Sequence, residues 1–327
     1  MLMKALQVVR PRSFEQVQVP VPALEPGSTD RILVQPSWVS MCGSDIPFFT
    51  GSKRHKSYPL PAGTPIHECV GQVIDSTSSL FQSGDRVIVI PEGDQGLAEF
   101  FVAKASKAAR LPGDINDNGT SCLIQPLSTV INAMDRLGNV TGKSVGVVGL
   151  GSIGLFFCWL LKRAGAARIV GIDPSAQRCQ VAGKLGVDQV YPTRSIEVAH
   201  AARQNPGFWD PPEICIEAVG HQMDTLNDCL ELVQKQGTVL AFGVPDHHVY
   251  AIEYETFFRK NVHLLAVVTP EWSTYLAKAR DVFLSFHDEL EPLVTHRLPI
   301  REAEKAFTLY EQHTDGILKA LLDMSGW

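Results

Sequence analysis

Apolar and polar positions alternate in short runs along the first 110 residues. Ala5–Val9, Arg31–Val34, Val70–Ile74 and Arg86–Ile90 are rich in β-branched side chains, the pattern of half-buried strands. Pro20, Pro22, Pro26-Gly27, Pro59, Pro61, Gly63, Pro65 and Gly84 punctuate them, so a compact β domain or barrel is predicted. The period changes near residue 127. Leu127–Leu137 has helical spacing and is closed by Gly138-Asn139. From Ser144 onward the pattern alternates. Strands are predicted at Val145–Val148, Arg168–Ile172, Glu213–Glu217, Thr238–Phe242 and Val262–Val267, and helices at Ile153–Ala164, Ala176–Leu185, Met223–Leu232 and Thr274–Ser285. Such alternation implies a parallel sheet with helices on both faces. A short strand, Leu293–Arg297, and a helix from Ile300 end the chain. The expected organisation is a β domain over 1–127, completed by 289–327, and an α/β domain over 128–288.

The 327 residues fit two domains. A 45% hydrophobic and 20% charged composition excludes a disordered chain, a collagen-like fibre and a small disulfide scaffold. The net charge of −6 argues against nonspecific nucleic-acid binding, which needs a basic face. The seven cysteines, at 42, 69, 122, 158, 179, 215 and 229, form no CxxC pair. That spacing fits free thiols in a reducing, cytoplasmic setting and excludes a four-cysteine zinc lobe. The opening MLMKALQVVRPR lacks the pattern of a signal peptide. The apolar run Val145–Leu161 holds four glycines and is shorter than the roughly 20 residues of a membrane span. It reads as a buried strand, turn and helix, so neither membrane nor nucleic acid is an expected partner.

The strand Ser144–Val148 runs into Gly149-Leu150-Gly151-Ser152-Ile153-Gly154 and then a helix. This is GxGxxG in the context it requires. The first glycine allows the tight turn, the second lets backbone approach a pyrophosphate, and the third lets helix pack closely on strand. The helix N-terminus then offers free N–H groups to the phosphates. Asp173 lies 19 residues past Gly154, at the end of the next strand, where an acid accepts the adenosine ribose hydroxyls. Its charge repels a 2′-phosphate, so NAD is expected over NADP. Arg178 is the residue that can weaken that preference, unless it lies on the helix flank. The other expected cofactor contacts are Ser152, Ile153, Val219, Gly243 and Val267. A doubly wound Rossmann domain follows.

The β domain carries Cys42-Gly43-Ser44-Asp45 and His67-Glu68, and Gln125-Pro126-Leu127 lies at its border. Singly, each is unremarkable. Together with Gly84-Asp85-Arg86-Val87, Gly96-Leu97-Ala98-Glu99-Phe100, the GxGxxG unit, Glu217-Ala218-Val219-Gly220 and Leu293-Val294-Thr295-His296-Arg297, they resemble the zinc-dependent medium-chain dehydrogenase/reductase family of alcohol, polyol and glucose dehydrogenases. The resemblance spans essentially the whole chain. It implies an N-terminal GroES-like β-barrel catalytic domain beside the Rossmann domain. It also implies one catalytic zinc on Cys42, His67 and Glu68, with Glu68 binding directly or trading places with water. Ser44 then falls where the family places a hydroxyl that hands the substrate proton onward. Zinc would act as a Lewis acid on the alcohol oxygen while hydride passes to the nicotinamide.

Three departures shape the expectation. The cysteine-rich structural zinc lobe is missing, since Pro91-Glu92-Gly93 leads directly to Gly96. Ile66 replaces the usual glycine before the histidine. Gln125 replaces a cysteine or glutamate ligand, as in archaeal-type glucose dehydrogenases, which points toward sugars or polyols; an empty site with a helix-entry glutamine is the other reading. No histidine follows Asp45 closely enough to finish a proton relay, which leaves His55 as the candidate. Lys53, Arg54, His55 and Lys56 make the loop between the ligands basic, either a solvated face or a contact for a phosphorylated substrate. The expected activity is thus a zinc-dependent, NAD-linked dehydrogenase of a secondary alcohol, a polyol or sugar, with the ketone as reverse substrate. Two alternatives stand beside it: a zinc-free quinone or carbonyl reductase on the same fold, and a non-catalytic NAD-binding protein. The family implies a homodimer or homotetramer, formed through the edge strand Val262–Val267.

Overall fold

The computed structural model describes residues 1–51, 57–113 and 118–327. The chain forms two compact units, Met1–Ser128 with Pro270–Trp327, and Thr129–Thr269.

The first unit begins with a hairpin, β1 (Leu2–Arg10) and β2 (Ser13–Pro20). β3 (Arg31–Ser40), the short helix α1 (Ile46–Thr50), β4 (Glu68–Ser76), β5 (Arg86–Pro91) and β6 (Phe101–Arg110) follow. These four strands pair antiparallel in order, and β6 returns to pair with β3, so they close on themselves as a barrel. Closure removes the open edges that four short strands would otherwise expose. Inward side chains such as Ile32, Val34, Val73, Val87, Val89 and Ala103 fill it, each with no exposed surface. Between β5 and β6 the chain makes one tight turn over Glu92–Asp94. Helix α2 (Ile124–Leu137) follows.

In the second unit β7 (Ser144–Val148), α3 (Ser152–Arg163), β8 (Arg168–Ile172), α4 (Ala176–Lys184), β9 (Gln189–Tyr191) and α5 (Ser195–Gln204) form one half. The other half holds β10 (Ile214–Glu217), α6 (Asp224–Leu232), β11 (Thr238–Ala241), α7 (Tyr254–Lys260) and β12 (His263–Ala266). The six strands are all parallel, in the order β12-β11-β10-β7-β8-β9. The winding direction reverses between β7 and β10, the place where open α/β sheets bind ligands. The central strands are buried apart from Ser144 and Arg168 at the starts of β7 and β8, as a sheet covered on both faces requires.

The chain then re-enters the first unit with α8 (Trp272–Ser285), the short α9 (His287–Leu290), β13 (Val294–Pro299), α10 (Ala303–Gln312) and β14 (Lys319–Asp323). β13 and β14 extend the barrel sheet, with β14 antiparallel to β3. The division therefore falls at Thr269/Pro270 and not at 288. Helix α8 belongs with the barrel because it packs along β6, a tertiary choice that helical periodicity does not encode.

Glu271 caps α8, accepting from the backbone N–H groups of Ser273 and Thr274 and from the Ser273 hydroxyl. These bonds, led by Thr274, pull its pKa from 4.5 down to about 2. A carboxylate whose folded pKa is depressed contributes stability above its unfolded value that is lost as pH falls toward 2. Glu271→Ala is expected to cost about 1 kcal/mol at neutral pH. Thermal unfolding should show that difference shrinking between pH 4.5 and 2; a pH-independent difference would assign the effect to packing.

Candidate functional site

Cys42 follows β3 and opens a single tight turn, Gly43–Asp45, that leads into α1. His67 and Glu68 stand where the chain enters β4, and Glu68 is the register partner of Ser40 at the end of β3. Neighbouring strands thus bring the two sequence segments together. Ligand-type atoms of Cys42, His67 and Glu68 all lie within 4.8 Å of one another. A thiolate, an imidazole and a carboxylate at this spacing fit a tetrahedral zinc with an open fourth position.

Asp45, 1% exposed, orients two of the three. Its Oδ2 accepts from the Cys42 N–H at 2.8 Å, and its Oδ1 lies 2.9 Å from His67 Nδ1. A carboxylate at Nδ1 leaves Nε2 as the nitrogen that could bind a metal. Burial opposes the charged imidazolium, but Asp45 and then Cys42 outweigh it and hold the His67 pKa well above its ordinary value.

Glu68 is clamped by Lys319 of β14. The ammonium Nζ donates to both Glu68 oxygens, at 2.7 and 2.5 Å, and to the Met41 carbonyl at 2.7 Å. Neither side chain has exposed surface. Burial lowers a lysine pKa, yet here the Glu68 carboxylate, and after it Cys42, outweighs burial and raises it. All three ammonium protons are therefore committed.

Of the remaining expected residues, Ser44 is half-buried in the turn between Cys42 and Asp45. Gln125 is buried on the first turn of α2, where its backbone carbonyl accepts from Ser128 Oγ at 2.6 Å. Ile66 has no exposed surface and packs in the barrel core, and its carbonyl accepts from the Gly96 N–H. A Cβ at Gly96 would press on Cys69 Sγ and Ile66, so the close approach at this corner is made at residue 96. Lys53, Arg54, His55 and Lys56 lie outside the described residues.

The second constellation lies at the carboxyl ends of the parallel strands. Gly149, at φ +92°, turns the chain against Ala218 and Val219. A Cβ at Gly154 would strike the Gly149 carbonyl, so α3 can pack this closely only with glycine there. A Cβ at Gly151 would meet no protein atom. The space it would fill is free for a ligand, as a pyrophosphate cradle requires. Ser152 and Ile153 open α3.

Asp173, 4% exposed, follows β8. Its Oδ2 accepts from the Leu150 N–H and its Oδ1 from the Ser175 N–H, each at 2.8 Å. Arg178 Nη1 stands 3.6 Å from Oδ2, turned toward the carboxylate instead of lying on the helix flank. Val219 follows β10, Gly243 follows β11 and Val267 follows β12, all on the edge where the glycine-rich turn sits.

Asp45, Lys319 and Glu217 were not among the expected site residues. Asp45 has a local signal, an acid three positions after Cys42 that bonds back to its N–H. Lys319 and Glu217 have a weaker one, a charge at the end of a short strand whose middle is apolar.

The sequence model of the alcohol dehydrogenase GroES-like domain matches residues 28–120, and that of the zinc-binding dehydrogenases matches 152–283. The chain is 28% identical to sorbitol dehydrogenase of Ovis aries over 93% of its own length and 92% of that protein's. It is 25% identical to L-threonine 3-dehydrogenase of Caldanaerobacter subterraneus subsp. tengcongensis, over 90% and 91%. Among solved structures it superposes on alcohol dehydrogenase TADH from Thermus sp. ATN1, with TM-score 0.82, 22% identity and 98% and 100% of the two chains covered. It matches galactitol-1-phosphate dehydrogenase from Escherichia coli with TM-score 0.80, 19% identity and 98% and 100% covered. At these identities the structures show the fold: the expected barrel and doubly wound sheet.

Proposed function

Because the chain belongs to the zinc-binding medium-chain dehydrogenases, matching both of their domain models in succession, we propose that it is an NAD-linked, zinc-dependent dehydrogenase of a secondary alcohol of the polyol or sugar class. The observation that carries this reading is the convergence of Cys42, His67 and Glu68 within 4.8 Å, in a chain that also holds a complete glycine-rich turn with its acidic partner. The polyol dehydrogenases among its relatives support the substrate class.

Cys42, His67 and Glu68 would hold a zinc that would supply Lewis-acid polarisation of the substrate oxygen, and a nicotinamide bound at the glycine-rich turn would supply the hydride chemistry. The chain's own residues do the rest. Cys42, His67 and Glu68 are the donors, Gln125 is the candidate fourth, and Asp45 fixes the ring and the turn. Ser44, beside Cys42, is the hydroxyl placed to pass on the substrate proton. On the cofactor side, Gly151 leaves room for the pyrophosphate and Asp173 reads the ribose.

A turnover screen over polyols, sugars and sugar phosphates, with and without chelator, tests the activity. Turnover that survives exhaustive chelation would favour a zinc-free reductase, and none at all an inert NAD-binding protein. Asp173 supports NAD over NADP, and Arg178 at 3.6 Å limits the margin. The expected preference is at least about tenfold, and Asp173→Ser should remove it. Equal affinities in the parent protein would show that Arg178 decides the site.

We also read β12 as the contact between copies in a homodimer or homotetramer. It is an open edge of its sheet, with Leu264 exposed on it, Val268 just after it and Tyr254 and Phe258 exposed on the preceding α7. Unpaired edges of this kind favour pairing with another strand. Sedimentation should show an oligomer that Leu264→Lys weakens; a parent monomer would refute the reading.

A further inference from the structure

Glu217 ends β10 on the ligand-binding edge of the second unit, with only 5% of its surface exposed. Its carboxylate is saturated by the chain itself. Oε1 accepts from the Val219 N–H at 3.0 Å, the Gly220 N–H at 3.0 Å and the Thr225 hydroxyl at 2.9 Å. Oε2 accepts from the Gly243 N–H at 3.1 Å, a donor it shares with the Glu217 backbone carbonyl, also at 3.1 Å. One oxygen thus holds the loop after β10 and the other reaches the loop after β11. The approach is close enough to demand glycine on both sides. A Cβ at Gly243 would strike the Gly220 nitrogen and Glu217 itself, and one at Gly220 would lie 2.7 Å from the Val244 nitrogen. The same two loops are tied again by the His221 N–H to the Val244 carbonyl at 2.8 Å, and by His221 Nδ1 to Asp246 Oδ1 at 2.7 Å. The joined loops abut the glycine-rich turn, because Gly149 packs directly on Val219.

We propose that Glu217 is a positioning residue for the dinucleotide: it locks the loops after β10 and β11 into one wall, so that Val219 and Gly243 reach the cofactor as a unit. Its assigned role is to hold protein and not to touch ligand, since its oxygens accept four protein donors. A carboxylate is needed because both of its oxygens are acceptors. An amide has one acceptor oxygen and one N–H₂ group. In Glu217→Gln the oxygen satisfies the three donors of the β10 side, and the N–H₂ then faces the Gly243 N–H. The substitution removes the side-chain link between the loops and keeps the β10 turn intact. The backbone bond from the Gly243 N–H to the Glu217 carbonyl and the His221 ties are left to hold the loops more loosely. The inference rests on the proposed binding of NAD for its consequence, but the link itself is a property of the free protein.

The test follows both. In hydrogen exchange without cofactor, Glu217→Gln should speed exchange in peptides covering 242–246 while those covering β7 and β8 keep the parent rate. Unchanged exchange at 242–246 overturns the link. In NADH titration followed by fluorescence, the variant should bind about tenfold more weakly, the scale of one charge-assisted hydrogen bond. Its KM for NAD should rise with its zinc content unchanged. If the parent binds NADH and the variant binds it equally tightly, the positioning role is overturned. If the parent does not bind NADH, the proposed function fails while the exchange result still decides the link. Thr225→Val, which removes one donor from Oε1 and leaves Gly243 bonded, should keep parent exchange at 242–246 and parent NADH affinity. A loss there equal to that of Glu217→Gln would mean that the whole edge has loosened, and would overturn the specific role of the Gly243 link.

Discussion

Cys42→Ser is expected to strip the protein of zinc and to lower turnover at least on the order of a thousandfold. Cys42 is the only soft donor in the clustered set, and a serine hydroxyl is neutral where the thiolate is charged. The substitution should leave the fold in place, because the side chain stands at the end of β3 in a turn, outside the barrel core. Asp45→Asn makes the graded comparison. It keeps the shape of the group that orients His67 and Cys42 but removes its charge, and second-layer changes of this kind cost roughly 10–100-fold in metal affinity. Gln125→Glu should move the other way and tighten zinc against a chelator, if the amide faces the metal. Metal analysis after dialysis and turnover on the same samples check all three. Full turnover in Cys42→Ser after exhaustive chelation would place the protein on the zinc-free branch of its fold.

What could be read from the sequence divides along physical lines. The nucleotide half was legible because its signals are local: a glycine spacing forced by backbone contacts within six residues, and strand and helix periods on either side. The third glycine, Gly154, could be nothing else, since a Cβ there meets the Gly149 carbonyl. The barrel was less so. β2, β6 and β14 carry polar or small residues through much of their length, SFEQVQVP, FVAKASKAAR and KALLD. Strands with that composition owe their existence to their partners, and pairing is invisible to a window of ten residues. The same reason hid Lys319. A lysine near the end of a chain reads as solvated, whereas its ammonium is buried against a carboxylate 251 positions earlier. The candidate ligands follow from resemblance and not from spacing, because Cys42 and His67 flank different strands, Cys42 after β3 and His67 before β4.

Lys319→Met removes the positive half of that buried pair while keeping most of its volume. Breaking a buried ion pair from one side typically costs about 3–5 kcal/mol, because the surviving charge has lost its partner and cannot reach water. Glu68 would be that charge: both of its oxygens accept from Lys319, and it has no exposed surface. The consequence differs with the metal. Without zinc the full loss should appear as a lower unfolding temperature. With zinc the freed carboxylate has a cation beside it, so the loss should shrink and zinc should resist chelation longer than in the parent. The double variant Lys319→Met with Glu68→Gln should recover most of the metal-free stability, since no buried charge remains unpaired. Thermal unfolding of parent, single and double variants, each with chelator and with added zinc, separates these effects. An equal loss in both conditions would mean that Lys319 serves packing of β14 alone and that Glu68 does not face the metal.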